Sequence, residues 1–146
     1  MLIDRTRAEV LIQLGRNGHA RDIVDNHLDA HPTDEGGSFT SLKALLLAQE
    51  GAAREADRMI AQAITIGEGF GHFHHTAYNI ASAYAALDRP DEAVGWLQVA
   101  ADDGFPCYPY FNGDPNLKCL HGHPGFVDLM SALHRRWEEL GARPGR

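Results

Sequence analysis

The chain has 146 residues, of which 44% are hydrophobic and 23% are charged, a balance typical of a folded globular domain. Its formal net charge is −7 with interspersed acids and bases, so it offers no basic face to a nucleic-acid backbone. Two cysteines are too few for a disulfide framework, and no stretch has the length and apolarity of a membrane span or a secretory signal. We therefore expect one cytoplasmic domain over residues 1–146, with neither nucleic acid nor membrane as a partner.

Three segments in the first two thirds of the chain share one spacing of small and large residues. A small residue opens each segment, a large residue follows after three positions, an alanine after twelve, and an aliphatic residue four further on. In chain order these sets are Ala8, Ala44 and Ala81; Leu11, Leu47 and Tyr84; Ala20, Ala56 and Ala93; and Val24, Ile60 and Leu97. Such fixed spacing is typical of two antiparallel helices packed in register, because only the loop between pairs can change length.

Turn residues support the division into helix pairs. Gly15 and Gly51 lie where the first helix of the first two pairs should end, since glycine favours the residue after a helix. Pro90 marks the start of the second helix of the third pair, because proline is tolerated in a first turn. The sequence therefore predicts three repeats, at about 2–32, 37–68 and 72–105.

The stretch 103–117, DGFPCYPYFNGDPNL, interrupts the helical pattern with three prolines and four aromatic residues. We expect it to belong to an ordered connection over 105–122 that the prolines hold extended and prevent from forming a helix. A capping helix is predicted over 123–141 to cover the last apolar face of the stack. Its apolar stripe consists of Phe126, Leu129, Met130, Leu133 and Trp137.

The repeated pattern resembles the tetratricopeptide repeat (TPR), a helix pair of about 34 residues with small residues at its eighth and twentieth positions. The resemblance covers roughly residues 2–104 and is most specific in AYNIASAYAALDRPDEAVGWLQVAADDGF. The segment from HFHHTAYNI to NGDPNL is similar to the TPR end-of-group domain of bacterial multidomain proteins. The resemblance implies an all-α, right-handed superhelix of about three helix pairs plus a capping helix, acting as an interaction or regulatory module.

A stack of helix pairs forms a concave surface lined by the first helix of each pair. The positions expected to face it are Arg5, Glu9, Ser41, Leu45, His75, Tyr78, Asn79 and Ser82. Tyr78 beside His75 and Asn79 offers an aromatic anchor next to groups that could hold a peptide backbone or carboxylate. The other interpretation is that Tyr78 packs on the cap. We expect a non-catalytic scaffold that binds a protein or peptide and needs no cofactor.

Two alternatives remain open at this point. His72 and His75 share a helix face and, with Cys107 or Cys119, could bind a metal as a sensor or a small metal-dependent enzyme, although no specific ligand spacing is present. Cys107 itself is not predicted to be a nucleophile, because no Lys or Arg lies in the ten residues before it. An uncovered N-terminal helix pair could also stack between copies and form a homo-oligomer.

Overall fold

Residues 2–142 are described by the computed structural model, and within them the chain is helical and has no β-strand. The α-helices are α1 Leu2–Gln13, α2 Asn17–Ala30, α3 Ser38–Gln49, α4 Ala53–Gly67, α5 Phe73–Ala86, α6 Pro90–Asp102, α7 Tyr108–Gly113 and α8 Pro124–Gly141. Two 3-10 turns, Glu35–Gly37 and Pro115–Leu120, complete the secondary structure. The all-α prediction is confirmed for this range; Met1 and residues 143–146 of the predicted domain lie outside the described residues. None of the helices in this range is both long and apolar enough to cross a bilayer.

The first six helices form three pairs, and the turn inside each pair has the same hydrogen bonds. In each turn, one residue has a positive φ: Gly15 at 71°, Gly51 at 79° and Asp88 at 57°. The amide of the residue after it donates to a carbonyl five positions back, at 2.8, 3.0 and 3.0 Å respectively. This arrangement is the Schellman motif, which normally places glycine at the left-handed position. Asp88 therefore occupies a glycine position.

The small residues of the repeated pattern lie where helix backbones approach each other. Ala8, Ala20, Ala44, Ala56, Ala81 and Ala93 are all fully buried. Residues without bulk beyond Cβ let two helices pack closely, and the neighbouring larger side chains fill the remaining space. Within the stack, α3 packs on α5 and α1 reaches α3, so the first helices of the pairs lie side by side.

Buried apolar side chains form two clusters. The first lies among α1, α2, α3, α4 and one face of α5 and includes Phe39, Ile60 and Ile80. The second joins α5 and α6 to the C-terminal third of the chain and includes Phe111, Leu117 and Leu120. Tyr84 packs against both clusters. The C-terminal third is thus part of the core and not an appendage.

The connection after the third pair contains helix where the sequence analysis expected none. Pro109 and Pro115 lie in the first turns of α7 and of the second 3-10 turn. A proline is tolerated there because the amide it lacks would have no partner within the helix. The prolines therefore begin two short helical segments, and the expectation of a purely extended connection is wrong.

Helix α8 has nearly the predicted bounds, and four residues of its predicted stripe, Phe126, Leu129, Met130 and Leu133, are buried. Trp137 is different, because 49% of its surface is exposed. Its ring lies 6.1 Å from the ring of Tyr108, the first residue of the short helix α7. The buried stripe of α8 therefore ends at Leu133, one turn before Trp137.

Candidate functional site

The residues expected to line the concave surface do not form one open surface. Five of them are buried: Ser41, Leu45, Tyr78, Asn79 and Ser82. Glu9 is half-buried beside them, and the gap that it shares with Leu45, Tyr78, Asn79 and Ser82 measures only about 10 Å³. A space of this size holds about one water molecule and no side chain of a partner.

The connection over 105–122 covers the surface that these buried residues line. Gln13 at the end of α1 donates from Nε2 to the hydroxyl of Tyr110 at 2.9 Å. Gln49 at the end of α3 donates from Nε2 to Oδ1 of Asn116 at 2.9 Å. These bonds show that the connection crosses the first helices of the first and second pairs.

Tyr78 is held beneath the connection. Its hydroxyl donates to the buried carboxylate of Asp114. Its ring lies 5.6, 5.4 and 5.1 Å from the rings of Phe105, Tyr110 and Phe111. Burial, followed by the nearby Asp114 carboxylate, raises the pKa of Tyr78 far above its ordinary value. In this structure Tyr78 is a packed residue and is not presented to a partner.

The polar residues near Tyr78 bind each other. Asn79 donates from Nδ2 to Oγ of Ser41 at 3.1 Å, and Ser41 donates to the carbonyl of Ser38 at 2.8 Å. The hydroxyl of Ser82 donates to the carbonyl of Tyr78 at 3.2 Å. These side chains are satisfied within the protein, as buried polar groups usually are.

Arg5 and His75, the remaining two predicted residues, lie in an open cleft. The cleft has a volume of about 310 Å³ and lies where the starts of α1, α3 and α5 meet. We call it the Arg5 cleft; its residues are Leu2, Arg5, Asp34, Glu35, Ser38, Phe39, Phe70, His72 and His75. Phe39 is 1% exposed and Leu2 is 68% exposed, so the cleft runs from the core to the surface.

The positive charge of Arg5 in the cleft is paired within the protein. Arg5 donates from Nη1 to Oε1 of Glu9 at 2.7 Å. Burial raises the pKa of Glu9, and the opposing effect of Arg5 is smaller. Burial and then the positive charge of Arg5 lower the pKa of His75 to about 4. At neutral pH the cleft therefore contains a paired guanidinium and a neutral imidazole.

The wall of the cleft between the first and second pairs is fixed by Asp34. One oxygen of its carboxylate accepts from the amide of Phe39 at 3.2 Å. The other oxygen accepts from the amide and the hydroxyl of Thr40, at 2.7 and 2.6 Å. These are donors of the first turn of α3, where a carboxylate is favourable. The Asp34 carboxylate therefore stabilises the start of α3.

The wall opposite is fixed by a close approach of Phe70 to Gly36. A Cβ on Gly36 would lie 2.4 Å from Cδ1 of Phe70, and the φ of Gly36 is 77°. Its carbonyl accepts from the hydroxyl of Thr76 at 2.7 Å. Only glycine fits this contact and this backbone conformation. The cleft is thus bounded by packed side chains and hydrogen bonds.

His72 and His75, named for the metal alternative, both lie near His74. The ring centroids of His72 and His74 are 5.7 Å apart, and those of His74 and His75 are 4.4 Å apart. Cys107 and Cys119 are both free thiols. Nevertheless, residues 2–142 contain no group of three or more His, Cys, Asp or Glu side chains that could hold a metal ion. The metal alternative has no ligand set in this part of the chain.

Several cleft residues were missed because they lie in the linkers between pairs. Asp34, Glu35 and Ser38 belong to the segment HPTDEGGS, where the first predicted repeat ends and the second begins. An acidic residue shortly before an apolar helical run is a sequence signal for a helix start, and it could have identified Asp34. Phe70 stands between glycines in GEGFGH, where an aromatic residue indicates packing against something.

Comparison of this chain with family models, with curated proteins and with solved structures gave no match in any of the three. Any role of the Arg5 cleft must therefore be inferred from its own geometry. The observations that bear on it are its volume, its aromatic floor and the balance of its charges.

Proposed function

We propose that this protein is a TPR-like interaction module: a right-handed superhelix of three helix pairs closed by α8, which binds a protein or peptide and catalyses no reaction. The equal spacing of the buried alanines and the three matching turns support a stack of equivalent pairs. We also expect a cytoplasmic location, in keeping with the two free cysteines.

The observation that carries this proposal is the Arg5 cleft. Its volume of about 310 Å³ far exceeds the 10 Å³ of the covered central gap. Peptide-binding surfaces commonly take one anchoring side chain into a pocket and contact the rest of the segment around its rim. The Arg5 cleft has the size and the aromatic floor for such an anchor, and Arg5 and His75 supply polar groups beside it.

The properties of His75 favour binding over acid–base catalysis. A group with a pKa of about 4 is a weak general base near neutral pH, where an efficient base titrates close to the working pH. Arg5 is paired with Glu9, so its charge is already balanced in the unbound protein. We therefore assign the two residues to ligand contact.

A peptide-display selection tests the proposal. A random peptide library is selected on the wild-type protein, and enriched peptides are then measured against Ser38→Phe, which places a ring in the cleft. We expect Ser38→Phe to weaken binding roughly tenfold or more, because the anchor loses its buried position. The matched control is Ser131→Phe, at an exposed position of α8. Thermal unfolding of both variants verifies that they are folded.

Two outcomes contradict the proposal. One is that no peptide is enriched above background. The other is that the enriched peptides bind Ser38→Phe as tightly as Ser131→Phe, which would locate their site away from the cleft.

Self-association through the first helix pair stays a prediction. Ile3 and Val10 on α1 are 81% and 47% exposed, and their spacing of seven residues puts them on one helix face. Leu14, in the turn directly after α1, is 64% exposed. Sedimentation equilibrium over a dilution series tests it. A rise in mean mass with concentration is expected, and one monomer mass at all concentrations contradicts it.

A further inference from the structure

A second groove adjoins the Arg5 cleft. It has a volume of about 440 Å³, and we call it the Glu68 groove; its residues are Thr33, Glu35, Gly36, Ile66, Glu68, Gly69 and Phe70. Glu35 and Phe70 line both cavities. Because Phe70 stands between them, a segment a few residues long could place neighbouring side chains on the two sides of its ring.

The apolar component of the recognition lies in the Arg5 cleft. Phe39 forms a buried floor, Phe70 is half-buried, and Leu2 is exposed at the mouth. An apolar cavity of roughly 150 Å³ accommodates a benzene-sized molecule, so about 310 Å³ is sufficient for an aromatic or long aliphatic side chain. The packing of Phe70 on Gly36 forms this space in advance, which reduces the entropic cost of binding.

The charge component is negative. Glu35 and Glu68 are exposed, and neither forms an ion pair with another residue in the range 2–142. The other charged groups of the two cavities are already compensated, since Arg5 pairs with Glu9 and Asp34 accepts from the first turn of α3. The whole chain carries a net charge of −7, which also attracts cationic partners at long range.

We propose that the two cavities together bind a peptide segment in which a large apolar side chain is adjacent to a lysine or arginine. The apolar side chain enters the Arg5 cleft, and the basic side chain lies against Glu35 and Glu68 in the Glu68 groove. This inference rests on the proposed peptide-binding function and specifies the chemistry of the partner. An acidic segment is disfavoured by the same two carboxylates.

Short peptides with blocked ends test this specificity directly. The probes are Gly-Gly-Phe-Lys-Gly-Gly and its versions with Ala in place of Phe or Glu in place of Lys, titrated into isotope-labelled protein and followed by amide chemical shifts. We expect the Phe-Lys probe to shift amides around Ser38 and Phe70. Replacing Phe by Ala should weaken binding roughly tenfold through lost apolar burial. Replacing Lys by Glu should weaken it by a similar factor, since attraction becomes repulsion.

A charge-neutral variant isolates the role of the two carboxylates. Glu35→Gln combined with Glu68→Gln should reduce affinity for the Phe-Lys probe about two- to fivefold at low salt, the range of exposed ion pairs. A probe with Gln in place of Lys should bind this variant and the wild type equally. The matched control is Glu55→Gln combined with Glu139→Gln, which removes the same charge at exposed positions elsewhere. It should bind the Phe-Lys probe like the wild type.

The outcomes separate this inference from the broader function. If display-selected peptides require the Arg5 cleft but lack a basic residue, or if the Phe-Glu probe binds as well as Phe-Lys, the specificity inferred here is wrong while the binding function stands. Equal binding of the Ala-Lys and Phe-Lys probes overturns the apolar anchor. Absence of shifts with the Phe-Lys probe overturns the inference, and absence of any selected peptide overturns the proposed function as well.

Discussion

The covered central gap and the open Arg5 cleft are lined by the same helices, yet only the cleft is accessible. Asn79 and Ser82 of α5 lie under the connection, whereas His75, one turn before Asn79 on the same helix, lines a cavity of about 310 Å³. Residues on the same helix face are thus covered where the C-terminal third of the chain packs on them and open where it does not. The repeat alone does not determine where a ligand can bind.

The largest expected effect comes from removing Tyr78, the main contact of the covered region. Tyr78→Ala deletes a buried ring and removes one of the two donors to the Asp114 carboxylate, so we expect a loss of about 3–5 kcal/mol in the free energy of unfolding. Tyr78→Phe keeps the ring and should cost only about 1–2 kcal/mol. Urea denaturation measures both changes. A cost below about 1 kcal/mol for Tyr78→Ala would show that the connection does not cover this residue in solution.

The second largest loss of stability is expected at a helix–helix contact inside the third pair. Ala93 is fully buried, and Ala93→Leu should overpack its contact and destabilise the protein by about 1–3 kcal/mol. Ala86→Leu, at an exposed position of α5, is the matched control and should change stability by less than about 0.5 kcal/mol. Equal effects of the two substitutions would contradict the placement of Ala93 at a close helix contact.

The open region should respond to acid through His75. Its pKa of about 4 in the folded protein lies below the ordinary 6.5, so the unfolded chain binds the additional proton first as the pH falls below about 6.5. The stability that the neutral imidazole contributes is therefore lost as the pH falls from about 6.5 to about 4. Because the group is partly exposed, we expect only about 1 kcal/mol more loss in the wild type than in His75→Gln. Parallel stability curves for the two proteins would contradict a depressed pKa.

The smallest effect concerns the turn of the third pair. Asp88 has a φ of 57° at the position that glycine occupies in the other two pairs. Asp88→Gly should relieve this conformation and raise the free energy of unfolding by about 0.5–1 kcal/mol, while Gly51→Asp should lower it by a similar amount. Thermal unfolding of the two variants tests whether the three turns are equivalent. If Asp88→Gly instead lowers the free energy of unfolding, the aspartate side chain stabilises the fold by more than its positive φ destabilises it.

The sequence was sufficient to predict the helices of the three pairs and α8, because their signals are local. The spacing of Ala8, Ala20 and their equivalents depends on contacts within one pair, and glycines such as Gly51 act within one turn. Prolines were more ambiguous, since Pro109 fits both an extended chain and a first helical turn. The prediction for the connection failed because a proline is compatible with helix only in the first turn. The residue type alone does not specify whether a first turn begins at that position.

The course of the connection could not be predicted, because it depends on contacts distant in the chain. Its aromatic residues indicated burial but not the surface on which they pack. Gln13 and Gln49, which hold it across the stack, are ordinary polar residues near helix ends and have no distinguishing sequence signal. The Arg5 cleft was missed in part for the same reason, since Phe70 and Asp34 come from two different linkers.

Chemical-shift mapping of a display-selected peptide tests the central claim, that the cleft is open while the centre is covered. We predict that the peptide shifts the amides of Ser38, Phe70 and His75 and leaves those of Asn79 and Ser82, together with the connection, unchanged. The contrary result is a peptide that shifts Asn79, Ser82 and residues 108–120. It would mean that the ligand displaces the connection and that the binding surface is the centre.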